Sequence, residues 1–290
     1  MNADQRSIHT LGAGIRLQEA SIALIGAGQM GSAIVRRLVG QGIRPTVVVR
    51  RPDLLDQWPQ NVDATTDLPA AAASADVLIC VVYDDGQLQD VLFAESGVLA
   101  SIRSGATAII HTTADPQTIL QADAIAYQRG ASLIDAPISG TADDIANGCL
   151  TVLLGGEPAA IGMVNPLLSL YGDPLVHVGP AGAASSVKLV NNALLAANLM
   201  LAADALRVTS MMNIDPVVAT AALCACSGSS VALERIGRYG TFDAMVQRIA
   251  PYVRKDVQLM LASMESARID GGTLARVAGS FVQLIDDCEA

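Results

Sequence analysis

"IALIGAGQMGSAIV", residues 22–35, reads as a buried strand that runs into a glycine turn and out into a helix. Ile22 to Ile25 are apolar without alternation, which is the pattern of a strand covered on both faces. Gly26, Gly28 and Gly31 fit the spacing G-x-G-x-x-G. At that spacing the first glycine permits the tight turn and the second lets the backbone approach a pyrophosphate. The third lets helix and strand pack closely, with the anion at the helix N-terminus. Gln29 and Met30 lie in the same turn and count with the glycines as cofactor-contacting positions. An ordinary glycine turn has the same letters. The context separates the two: an apolar strand before, an amphipathic helix after, and a second strand, "TVVVR", beyond it.

Working outward, the apolar runs "DVLICVVY", "ATAIIH", "ASLIDAP", "LTVLLGG" and "PLVHVG" recur between segments of helical length. That alternation predicts an α/β domain built on a doubly wound parallel sheet of Rossmann type. After Gly182 it stops. The rest is rich in Ala, Leu and Met and predicts a helix from about Ala183 to Met211, a break at "NIDP", and helices near 217–226, 253–269 and 274–287. The expected organisation is an N-terminal extension over 1–20, a dinucleotide-binding domain over 21–181 and an all-helical substrate and oligomerisation domain over 182–290.

Composition bounds the partners. The chain is 51% apolar and 16% charged with a net charge of -10, which excludes disorder and disfavours nucleic acid or an anionic membrane surface. The N-terminal stretch lacks the apolar run of a signal peptide, and acidic residues stand where transit peptides avoid them. Leu189 to Ala203 is apolar but interrupted by Asn191, Asn192 and Asn198, and falls short of the roughly 20 residues that span a bilayer. A cytoplasmic protein without a membrane span is expected. The five cysteines are irregularly spaced, form no zinc pattern, and read as small buried hydrophobes, so no metal is expected.

Further candidate residues stand at strand ends. The acidic residue that would accept the ribose hydroxyls of NAD, about 20 positions beyond the glycines, is missing. Arg50 and Arg51 stand there instead, and paired guanidiniums suit a 2'-phosphate, favouring NADP(H) over NAD(H); two solvated arginines are the alternative. Thr112 and Thr113 follow a strand, before a helix that Asp115 and Pro116 begin; one of these residues caps that helix and another faces the cofactor. In "DAPISGTADDIANG", Ser139 and the amides of Gly140 and Thr141 form either a carboxylate site or a simple turn. Lys188 lies on an apolar helix with Asn192 one turn further along the same face. The amide carbonyl of Asn192 can hold the ammonium, and burial would make Lys188 a general acid/base near neutral pH. A lysine snorkelling out of an interdomain helix is the other reading.

Together these segments resemble the β-hydroxyacid dehydrogenase family, which includes 3-hydroxyisobutyrate dehydrogenases and glyoxylate/succinic semialdehyde reductases. "GAGQMG", "DAPISGTADDIANGCLTVLLGG", "GPAGAASSVKLVNN" and "RKDVQL" occur in the family's order, and the likeness runs from Ile22 to about residue 285. The resemblance implies that Lys188 is the catalytic acid/base and that Asn192 positions it. It implies that Ser139, Gly140 and Thr141 bind the substrate carboxylate, and that Thr112 lies near the nicotinamide. Lys255, with Asp256 beside it, would reach into the cleft from the helical domain. The implied reaction moves a hydride between nicotinamide and a small carboxylate-bearing carbonyl or hydroxy compound, in a homodimer or homotetramer. Three positions depart from the family pattern: Thr141 replaces a glycine, Ala184 replaces a glycine, and Tyr83 stands where a proline is common. Two other functions fit the same scaffold. In an imine reductase the lysine is usually replaced, and a non-catalytic NADP-binding regulator has no use for Lys188 with Asn192.

Overall fold

In the computed structural model, which describes residues 17–289, strand β1 (Ile22–Ile25) lies inside a sheet with all four residues buried. Its alternate residues feed two cores: Ile22 and Leu24 join one apolar cluster, Ala23 and Ile25 another. The same division recurs in β4 (Val77–Cys80) and β5 (Thr107–Ile110). Helices cover both faces, which is why these strands read as unbroken apolar runs.

The strands β2 (Thr46–Val48) and β3 (Asp63–Thr65) extend the sheet on one side of β1; β4, β5 and β6 (Ser132–Asp135) extend it on the other, all parallel. The order 3-2-1-4-5-6 therefore reverses between β1 and β4. Ligands of such sheets bind at the carboxyl ends of the strands flanking that reversal. Beyond β6 the expected parallel pattern gives way. Strand β8 (Leu150–Gly155) runs antiparallel to β6 and to the two-residue β7 (Ile138–Ser139), and β9 (Gly172–Gly179) returns parallel to β8. The reason is connection length, since a parallel return needs roughly a dozen residues or more and the links on either side of β7 are shorter.

The helices of this part are α1 (Gln29–Gly40), α2 (Leu68–Ser74), α3 (Asp85–Phe93), α4 (Val98–Ser101), α5 (Pro116–Gln128), α6 (Ala142–Asn147) and α7 (Pro158–Leu168). His111, just past β5, ties the ends of β5 and β6 to the residue before β9. Its Nδ1 lies 2.6 Å from the Ala136 carbonyl oxygen and its Nε2 lies 2.8 Å from the Tyr171 hydroxyl. Burial pushes its pKa down to about 4, so the ring is neutral at pH 7. Because a carbonyl only accepts, Nδ1 carries the proton and Nε2 accepts from Tyr171.

The described chain forms two compact units, the first ending at Ser186 and the second beginning at Val187, within helix α8 (Ala183–Met211). Of the extension expected over 1–20, residues 1–16 lie outside the described residues. The second unit continues with α9 (Pro216–Cys224), α10 (Val231–Tyr239), α11 (Phe242–Ala267) and α12 (Gly272–Glu289). Leu189, Ala193, Ala196 and Leu199 of α8 pack with Leu233 and Ile236 of α10, Val253, Val257 and Met260 of α11, and Phe281 of α12. By length and a mean hydropathy of 1.4, α8 alone among the described helices is apolar enough to cross a bilayer, although only a shorter run was legible in sequence. Its buried residues are those that build this core.

Two features differ from the sequence expectation. Helix α10 was not anticipated, and α11 begins well before Val253 and passes through Pro251. The side chains of Ser230 and Thr241 start these helices by accepting from the amides of Leu233 and Ala244. Among the cysteines, Cys80 is buried, and burial pushes its thiol up to about 12. Cys149 and Cys226 are exposed instead, because they fall in the turns after α6 and α9.

Candidate functional site

The glycine loop is shaped by what would collide with a side chain. Gly26 has φ +102°, and a Cβ there would lie 2.0 Å from the Val81 carbonyl oxygen. A Cβ at Gly31 would lie 2.0 Å from the Gly26 carbonyl oxygen. Both positions are therefore closed to any other residue. Gly28 is different, because a Cβ there meets nothing within 4 Å. It caps α1 without a side-chain bond, and the first turn of α1 holds no acidic residue. The unpaired amides and the positive end of the helix dipole thus open onto free space, and the loop fits a dinucleotide pyrophosphate. Gln29 is exposed beside it, whereas Met30 leans on the apolar core.

Val48 pairs in register with Ile25, so Arg50 leaves the sheet beside the glycine loop. Its side chain is exposed. Arg51 is exposed too and lies 3.5 Å from Asp53. On the other side of β1, the end of β4 is fixed from two directions. The Val81 amide donates to the Ile25 carbonyl. The Thr112 hydroxyl accepts from the Val82 amide at 2.9 Å and donates to the Val82 carbonyl at 3.2 Å. Thr112 is buried, and its hydroxyl hydrogen is committed to this clasp. Capping of α5 falls to Asp115, whose carboxylate accepts from the Gln117 amide.

The "DAPISGT" segment holds an unexpected anion and loses an expected donor. Asp135, at the end of β6, is fully buried. It accepts from the Ser185 amide at 2.8 Å and the Ser185 hydroxyl at 2.6 Å, so it caps the first turn of α8. Burial raises its pKa, against the hydrogen bonds from Ser185 and the Gly182 and Ala184 amides that lower it. Ser139 pairs with Thr151 across β7 and β8 and is half-buried; Gly140 follows at φ +146°. The Thr141 amide, expected at a substrate carboxylate, has a carboxylate of this chain as its partner. That amide already donates to Asp144 Oδ2 at 2.6 Å, and the Thr141 hydroxyl bonds the same carboxylate at 2.8 Å. Asp144 closes a capping box at the start of α6.

In the second unit, α8 and α11 bring Lys188, Asn192, Lys255 and Asp256 into one cluster. Lys188 is 8% exposed, Asn192 8% and Asp256 4%. The expected clasp between Lys188 and the Asn192 carbonyl is replaced by a different arrangement. Asn192 Nδ2 donates to Asp256 Oδ2 at 2.5 Å, while its carbonyl oxygen accepts from Asn191 at 3.0 Å. A carboxylate across the core is a stronger acceptor than an amide on the same helix, and it fixes the orientation of Asn192. Lys255 Nζ donates to Asp256 Oδ1 at 2.6 Å. Asp256 is thus the hub, a role that sequence spacing did not assign because its partners come from two helices.

Burial pushes the Lys188 ammonium down to about 8; Asp256 raises it, and Lys255 and Arg235 lower it. Lys188 therefore titrates closer to neutral pH than an exposed lysine does, with Asp256, Lys255 and Arg235 as the charges that act on it.

A family model described as the NAD binding domain of 6-phosphogluconate dehydrogenase matches residues 21–179. A second, described as the NAD-binding of NADP-dependent 3-hydroxyisobutyrate dehydrogenase, matches residues 182–288. The chain is similar to the 2-(hydroxymethyl)glutarate dehydrogenase of Eubacterium barkeri, 29% identical over 218 residues, which are 73% of this chain and 71% of that one. Among solved structures, the 3-hydroxyisobutyrate dehydrogenase of Mycobacterium tuberculosis with L-serine superposes with a TM-score of 0.82 at 21% identity, over 92% of this chain and 94% of that one. An imine reductase from Myxococcus stipitatus in complex with NADP+ superposes with 0.63 at 20% identity, over 92% and 94%. At those identities the two structures speak for the fold.

Proposed function

The chain belongs to the β-hydroxyacid dehydrogenase family, and from that membership we propose that it interconverts a small β-hydroxy acid and the corresponding semialdehyde acid, with NADP(H) preferred and Lys188 as general acid/base. The observation that carries this reading is the burial of Lys188 in one cluster with Asn192 and Asp256, which pushes its pKa down to about 8. When bound, the dinucleotide supplies or accepts the hydride. The remaining work belongs to the chain. In the reductive direction Lys188 Nζ donates a proton to the substrate oxygen as negative charge develops there, and in the oxidative direction it takes that proton back.

Asn192 and Asp256 fix the cluster around Lys188, and the excess of cations favours a substrate carrying a carboxylate. Ser139 and Gly140 are assigned to that carboxylate; Thr141 is left out because its amide and hydroxyl serve Asp144. Gly26, Gly28, Gln29 and Gly31 hold the pyrophosphate, and Thr112 acts through Val82 by fixing the end of β4. The decisive assay is consumption of NADPH and NADH with glyoxylate, succinic semialdehyde, tartronate semialdehyde and methylmalonate semialdehyde, beside one cyclic imine. Turnover of an acid aldehyde supports the reading. Turnover of the imine alone would transfer the chain to imine reduction and strip Lys188 of its role.

The cofactor preference rests on Arg50, which is exposed beside the glycine loop. Arg50→Asp is expected to weaken NADPH binding about tenfold, as loss of a charge-assisted bond implies, and NADH far less. Equal weakening of both cofactors would remove the 2'-phosphate argument.

A second copy of the chain is the proposed partner. Val187, Leu194, Leu201 and Val208 recur at seven-residue spacing along α8 and are 44%, 50%, 58% and 46% exposed. A heptad stripe of this kind seeks another helix, and a symmetry mate supplies one. Light scattering of the purified protein should give a dimer or tetramer, and Leu201→Lys should shift it toward monomer; a monomeric parent chain refutes the assignment.

A further inference from the structure

Helix α10 gives three buried residues, Ala232, Leu233 and Ile236, to the core it shares with α8 and α11. Arg235 stands between the last two and is half-buried. An arginine in such a place covers apolar surface with its stem and keeps its head group outside the core. Among the described residues that head group makes no hydrogen bond and no ion pair. Composition makes this unexpected, because 28 acidic residues stand against 18 lysines and arginines, so carboxylate partners are plentiful. A guanidinium also offers five donors and stays charged at any ordinary pH.

The charge that Arg235 does reach is another cation. It is close enough to Lys188 to weaken that residue's hold on its proton. Lys188 likewise makes no hydrogen bond or ion pair among the described residues. Asp256 is the carboxylate that acts on Lys188, and its two oxygens are engaged by Asn192 and Lys255. Lys188, Lys255 and Arg235 against Asp256 therefore leave an excess of positive charge. One carboxylate of the substrate is already assigned to Ser139 and Gly140, so the guanidinium is left over. We propose that Arg235 is a specificity-determining residue, its guanidinium holding a second carboxylate, so that the preferred substrate is a dicarboxylic hydroxy acid. A carboxylate matches the guanidinium fork with two parallel bonds, which an alkyl group in its place does not. The inference takes its chemistry from the proposed reaction, and binding and turnover test the two apart.

Binding is measured by calorimetric titration of the full chain with NADPH bound, using methylsuccinate, with two carboxylates, and isobutyrate, with one; neither has a hydroxyl to oxidise. Methylsuccinate should bind the parent chain about tenfold or more tightly than isobutyrate. Arg235→Met, which keeps an apolar stem, should weaken methylsuccinate about ten- to a hundredfold and isobutyrate far less. Arg235→Lys, a charge without the fork, should recover part of the loss. Turnover is measured as NADP+ reduction with 2-(hydroxymethyl)succinate and 3-hydroxyisobutyrate, and kcat/KM should favour the dicarboxylate in the parent chain and lose that preference in Arg235→Met. Equal binding of the two unreactive acids by the parent chain overturns the proposal, and so does equal weakening of both in Arg235→Met. Weaker NADPH binding in that variant with methylsuccinate unaffected would give Arg235 to the cofactor and overturn it too. Failure of the proposed reaction has a different signature: methylsuccinate would bind selectively through Arg235 while neither hydroxy acid is oxidised.

Discussion

Lys188→Ala is expected to fold and bind NADPH as the parent chain does, and to lose about 10²- to 10⁴-fold in kcat. The size follows from the proposed role, since a positioned proton donor contributes that much and Lys255, the other ammonium of the cluster, is paired with Asp256. Asp256 is a carboxylate with both oxygens engaged by Asn192 and Lys255. The pH profile of the parent chain carries the same assignment. Reduction needs the protonated amine, so its rate should fall as pH rises through about 8, where Lys188 loses its proton. Oxidation needs the neutral amine and should rise over the same range. Lys188→Arg should rescue neither direction fully, because a guanidinium does not give up its proton. A normal kcat in Lys188→Ala, with NADPH binding retained, would show that the proton comes from elsewhere.

The parts of this molecule that were legible in sequence are those set by local periodicity. The glycine spacing and the unbroken apolar runs identify β1, β4, β5 and β6 because those strands are buried on both faces, and the Ala- and Leu-rich continuation identifies α8. The strands β3 and β7 escaped notice because three and two residues respectively hold no period. Helix α11 starts well upstream of Val253 because the Thr241 cap sets its start, and the helix accommodates Pro251.

The site was less legible because its partners are remote in sequence. Spacing on one helix pairs Lys188 with Asn192, but the stronger partner of Asn192 is Asp256, 64 residues away. Likewise, Asp135 reads as one letter of a strand end, although it is the buried cap of α8 from 50 residues away. Thr141 went the other way. Thr141 with Asp144 three residues later is a capping-box pattern that sequence alone displays.

Asp256→Asn separates positioning from charge at the hub. The side chain keeps its size, but Lys255 loses its ion-pair partner, and Asn192 loses a carboxylate acceptor for a weaker amide one. Lys188 loses the charge that raises its pKa, while burial, Lys255 and Arg235 continue to lower it. The sign is therefore fixed: Lys188 should titrate below about 8 in this variant. The alkaline limb of the reductive rate should move to lower pH, and turnover at pH 7 should fall about tenfold or more, as loss of a buried charged partner implies. Asp256→Glu keeps the charge and should leave the limb near its original pH even if packing costs some rate. If Asp256→Asn slows the enzyme while the limb stays fixed, the carboxylate holds Asn192 in place without tuning the lysine. If the limb moves with little loss of rate at its new optimum, charge is the whole contribution.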